Sequence, residues 1–124
     1  MDIVASLANP SGASIRLHHG TDKTSATDIA TKGVDRLKAS VYGAAGEFWA
    51  TIDMSAAEIF AQVNPASGTP AIFSFELLDT VLKMMLSSSP PQAQLHVQLQ
   101  AIEFRPNSFQ KLNSSMTGRE VRSL

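Results

Sequence analysis

The stretch Arg16-Leu17-His18-His19-Gly20-Thr21 gathers a basic side chain, two imidazoles, a bare glycine and a hydroxyl at the close of a short apolar segment. A histidine held at a strand end can hydrogen-bond a ribose, and glycine lets a ligand's amide approach the backbone closely. Gly46-Glu47-Phe48-Trp49-Ala50-Thr51 follows later, and its rings offer a flat apolar wall for stacking. Together the two stretches point to a nucleotide pocket. Arg16 can be read as a pyrophosphate contact or as an ordinary surface arginine. Tyr42, set among glycines, either closes over a ligand or stands exposed. Gly43 and Gly46 make no phosphate-binding loop, because the lysine and hydroxyl of such a loop are absent.

The remaining inventory narrows the chemistry. There is no cysteine, which excludes disulfides, thiolate nucleophiles and Cys-ligated metals. His18 and His19 are adjacent, so on a strand they face opposite sides, and His96 stands alone late in the chain. No metal site is expected from that set. At 124 residues, 44% hydrophobic and 17% charged, the chain has the size and composition of one globular domain. A net charge of −1, with the ten Lys and Arg scattered, gives no pull toward nucleic acid or anionic lipid. Nothing approaches the roughly 18 consecutive apolar residues of a membrane span. Met1-Asp2-Ile3-Val4-Ala5-Ser6 lacks the basic start and apolar core of a secretory signal, so a soluble, cytoplasmic chain is expected.

The elements that must position these residues follow from the pattern. Residues 1–14 read as a flexible lead-in, and 15–19 as a strand. A helix capped by Thr24 or Ser25 runs to Lys32, with Gly33 as terminator. Phe48 to Ile52 reads as a second strand. Ser55-Ala56-Ala57-Glu58 is a capping box that opens a helix to about Val63. Residues 71–77 suit a central strand, and 78–86 a helix with Leu78, Leu82, Met85 and Leu86 on one side. The spacing predicts one long strand over 93–104, with His96, Gln98, Gln100 and Ile102 on a common face. Ser108 to Leu112 makes a short helical turn, and 114–124 reads as a frayed tail. Connections this short and irregular do not make doubly wound units. The expected class is a single α+β domain over 15–113, with a largely antiparallel sheet and short helices.

The segment from Arg16 to Ala61 resembles the ADP-ribosyltransferase superfamily, in its His-Tyr-Glu branch of poly(ADP-ribose) polymerases, diphtheria-like toxins and small bacterial toxin domains. Leu17-His18-His19-Gly20-Thr21 and the later Gly46-x-Phe48-Trp49-x-Thr51-x-Asp53-x-Ser55-x-Ala57 carry the resemblance, which returns weakly over Gln98 to Phe109. It implies a split β-sheet and NAD as substrate, with ADP-ribose passed to a macromolecular, protein acceptor or NAD hydrolysed. It also implies a toxin or effector role with a cognate immunity protein. By resemblance His19 binds the ribose of NAD, Gly20 contacts the nicotinamide amide, and Thr21 lies beside them. The family's stacking tyrosine falls on Trp49, with Phe48 as the neighbouring alternative.

The family's glutamate falls in register on Gln100 or Gln98, and Glu103 lies three positions beyond Gln100. Such a carboxylate stabilises positive charge on the ribose and orients a hydroxyl; a glutamine only orients. Gln100 and Glu103 are therefore the two catalytic candidates. For His19 the alternative is a strand-end histidine meeting solvent or a carbonyl, for Trp49 core packing, and for Glu103 an exposed strand residue. A non-catalytic module binding NAD, ADP-ribose or a partner protein on the same fold is the competing function. The Gln98-x-Gln100 pair favours that module.

Overall fold

A computed structural model describes residues 2–35, 46–63 and 68–124. The chain order is α1 (Ile3–Ala8), β1 (Ser14–Asp22), α2 (Lys23–Lys32), β2 (Phe48–Thr51), α3 (Met54–Val63), β3 (Pro70–Leu78), α4 (Asp79–Ser87), β4 (Ala93–His96), β5 (Ala101–Phe104), α5 (Phe109–Ser115) and β6 (Thr117–Ser123). Single turns of 3-10 helix lie at Val97–Leu99 and Pro106–Ser108. The six strands form one sheet in the order β4-β5-β2-β1-β3-β6, and every pairing is antiparallel. This is a mixed α+β domain.

β1 and β3 pair along nine residues, from Ser14 against Leu78 to Asp22 against Pro70. β1 and β2, in contrast, share one registered pair, His18 against Thr51. Alternation along β1 then sorts the sheet into two faces. Ile15 and Leu17 join Phe48, Phe73, Phe75, Ile102 and Phe104 in the main core. Helices α1, α2, α4 and α5 supply Ile3, Leu7, Ile29, Leu82, Met85, Phe109 and Leu112 to that same core. Arg16, His18 and Gly20 point the other way, toward α3.

Helix α3 meets the sheet through its smallest residues. Ala57 and Ala61 are buried, while Ile59, Phe60 and Val63 are 61%, 57% and 68% exposed. Asp53, two residues ahead of the expected capping box, starts the helix. Its Oδ1 accepts from the N–H groups of Ser55 (3.0 Å) and Ala56 (3.4 Å). Glu58 pairs instead with Arg122 of β6 at 3.4 Å.

Three other expectations are corrected. Residues 3–8 of the presumed lead-in form α1, capped by the Asp2 carboxylate on Val4 N–H, with Ile3 and Leu7 one turn apart in the core. Residues 117–123 of the presumed tail form β6, an edge strand whose charged residues mask its periodicity. The single long strand over 93–104 is a hairpin, β4 and β5, reversed through Val97–Leu99 and Gln100. Gln100 makes that reversal in the left-handed conformation, at φ 48°.

Candidate functional site

The pairing register decides which candidates meet. His18 lies opposite Thr51, so Trp49, two residues along, shares its face. Trp49 lies directly opposite Glu103 on β5, and Glu103 lies opposite Gln94 on β4. His96, two residues beyond Gln94, completes the group. Its Nε2–H donates to Glu103 Oε1 at 2.9 Å, and its ring lies 4.4 Å from the Trp49 ring. The indole N–H donates to Glu47 Oε1 at 3.2 Å. Trp49, His96 and Glu103 thus form one half-buried cluster on the α3 face.

His19 is turned the other way, toward the core. It is 7% exposed, and its ring lies 4.3 Å from the fully buried Phe48. Nδ1–H donates to the Trp49 carbonyl at 2.6 Å. The bond is made to the backbone of residue 49, and the imidazole of His19 and the indole of Trp49 occupy opposite faces. Burial pushes the imidazole down to about 4, against the smaller opposing pulls of the Trp49 carbonyl and Asp22. Thr21 shares that face, half-buried and opposite Ala71. Gly20 is on the α3 face, where the helix backbone closes over it. Tyr42 lies outside the described residues.

Gln100 is occupied by structure. Its Oε1 accepts from Ile3 N–H at 3.0 Å, closing the start of α1, and its Nε2 donates to the Val97 carbonyl at 2.6 Å. Gln98 is exposed on the turn. Gln100→Ala is expected to cost about 1–2 kcal/mol, the loss of two hydrogen bonds. Chemical denaturation measures it, and an unchanged midpoint would show that the side chain anchors nothing.

An open cleft of about 530 Å³ lies where β2 leaves β1. Arg16 and His18 line it from β1, Ile52 and Asp53 from the approach to α3, Met54 and Ser55 from its first turn, and Gln100 from the β4–β5 turn. The Arg16 guanidinium is held by Glu120 (3.1 Å), Glu76 (3.5 Å) and the Gly118 carbonyl (3.3 Å). His18 is 8% exposed, with Nδ1 at 2.7 Å from Ser74 Oγ. Burial lowers its pKa, Arg16 and Arg122 push the same way, and Glu120 opposes them, so the ring is neutral at neutral pH. Among the described residues no group of three or more His, Cys, Asp or Glu is placed to hold a metal ion. No described helix is long and apolar enough to cross a membrane.

His18 and Asp53 are the residues that sequence reasoning passed over. His18 was available in the pattern, because it alternates with Arg16 and Gly20 and shares their face. Asp53 was visible as a cap ahead of the helix. His96 carried no signal, since only the hairpin brings it to Glu103. The architecture defines a mixed α+β domain with a polar cleft on the α3 face of its sheet. The chain matches no family model, no curated protein and no solved structure.

Proposed function

We propose that this chain is an NAD-binding, ADP-ribosyltransferase-like domain whose dinucleotide lies on the α3 face of the sheet. The observation that carries the reading is the strand register, which sets Arg16, His18, Trp49 and Glu103 on one face with an open cleft at its end. In this reading His18, and not its neighbour, contacts the ligand from β1. Glu103 stabilises the positive charge that develops on the ribose as the C–N glycosidic bond breaks, and Trp49 supplies apolar surface beside it. The acceptor is water or a group on a protein, and a toxin or effector role in the cytoplasm belongs to the same proposal.

A non-catalytic binding module is the second reading, and one observation favours it. Neither Trp49 nor Glu103 lines the cleft, and Glu103 is already engaged by His96.

Calorimetric titration of NAD, with free nicotinamide followed in parallel, separates the two. Binding with release is the transferase result, and binding without release is the module result. Absence of both heat and release would reject the nucleotide. His18→Ala is expected to weaken binding by about tenfold or more, the loss of a buried polar contact. His19→Ala, compared per folded molecule, leaves the affinity in place. Glu103→Gln is expected to slow nicotinamide release by roughly two to three decades while binding persists.

A further inference from the structure

We propose that β6 is a self-pairing edge: two copies of this chain join antiparallel through it, about a two-fold axis at Val121. The inference stands apart from the nucleotide reading above. β6 ends the six-stranded sheet, and among the described residues no strand pairs with its outer side. The opposite edge, β4, is four residues long and follows Pro90 and Pro91, whereas β6 runs seven residues without a proline. Leu124 N–H donates to the Pro70 carbonyl at 2.9 Å, and the register is unbroken back to Glu120 against Ser74. Alternation along that ladder turns the N–H and C=O groups of Ser123, Val121 and Arg119 outward. The strand is held ready for a partner, because the Arg119 side chain donates to the Ala30 (3.2 Å) and Asn113 (2.9 Å) carbonyls.

Charge selects the occupant. Antiparallel pairing of the outward groups, centred at Val121, sets Val121 against the partner's Val121 and Arg119 against the partner's Ser123. Glu120 then faces the partner's Arg122, and Arg122 the partner's Glu120, in the closely spaced non-hydrogen-bonded positions. Both side chains have room for a further ion partner: Glu120 is 63% exposed beside Arg16, and Arg122 is 54% exposed beside Glu58. Pairing sets Glu58, Arg122, the partner's Glu120 and the partner's Arg16 in one row of alternating sign. Centring the axis on Glu120 or on Arg122 instead brings like charges face to face, so one register is singled out. Charged residues on an edge strand commonly guard against association. Such a guard repels its own image, whereas Arg119-Glu120-Val121-Arg122-Ser123 attracts it. A second copy of this chain therefore fits the edge, by an isologous contact.

Sedimentation equilibrium of the parent chain from about 1 µM to about 500 µM should show a monomer–dimer equilibrium in the micromolar range, as for a small transient interface. Glu120→Arg and Arg122→Glu, each alone, should weaken association about tenfold or more, because two like-charge pairs replace two attractions. Mixed in equal amounts, the two variants should form a heterodimer close to the parent's affinity, since opposite charges face each other again in both pairs. A folding defect in either variant is not repaired by mixing, so recovery reports the edge itself. Hydrogen exchange at the Val121 and Ser123 amides should slow in the parent as its concentration rises. A parent that stays monomeric across the range, single variants that associate as the parent does, a mixture that stays monomeric, or amide exchange indifferent to concentration would each overturn the proposal.

Discussion

Gly20→Ala is expected to lower the melting temperature by about 10 °C, the equivalent of about 3 kcal/mol in a domain of this size. A Cβ at this position would run into the Ala57 carbonyl oxygen and stand 2.8 Å from the Ala61 nitrogen and 3.1 Å from the Ala57 carbonyl carbon. All three are backbone atoms, so no side chain can swing aside. Helix α3 must lift from the sheet, and the packing of Ala57, Ala61 and Ile72 beneath it is lost. The glycine does not carry a left-handed φ, so the requirement is one of space. The approach that the sequence left open for a ligand is taken by a helix. A melting temperature within about 2 °C of the parent would mean that α3 does not rest on β1 at this point.

The second large effect is a loss of stability on mild acidification, set by His19. An unfolded chain protonates this imidazole near 6.5, while the folded protein holds it neutral down to about 4. Between those values the unfolded state binds the extra proton, so stability falls as the pH falls. The slope is about 1.4 kcal/mol per pH unit, and the loss over the whole window is about 3 kcal/mol. Above 6.5 the contribution is fully present. His18 is shifted in the same direction, so the informative quantity is the difference between the parent and His19→Gln. Glutamine carries no titrating proton, so the acid-sensitive contribution of position 19 is absent from the variant. Urea midpoints measured from pH 7 to pH 4 should fall less steeply in the variant; parallel curves would count against the buried, neutral histidine.

Much of the sheet was legible because its central strands obey simple patterning. β1 and β3 sit where short apolar segments predicted them, and α2 ends at Gly33, which holds φ at 88° as a terminating glycine does. The hairpin between β4 and β5 was not legible. Apolar residues alternate through both arms, and no glycine, proline or asparagine marks the reversal, which falls instead on Gln100. That one unmarked turn changed the site. It removed Gln100 from any strand face and set His96 against Glu103. The two histidines of β1 were legible as a pair facing opposite ways. Which of them faces the core is decided by pairing with β2 and β3, a long-range fact that periodicity within one strand does not contain. Helix α3 was legible in position but not in orientation, because its bulky residues face solvent and its alanines face the sheet.

One registered pair joins the β4-β5-β2 half of the sheet to the β1-β3-β6 half. Among the described residues this is the sheet's thinnest joint in mechanical terms, fastened additionally by the His19 ring reaching across to the carbonyl of residue 49. The hollow opens along the same line, with Arg16 and His18 on one bank and Gln100 on the other. A small molecule lodged there spans both banks and stiffens a joint that the backbone leaves sparsely fastened.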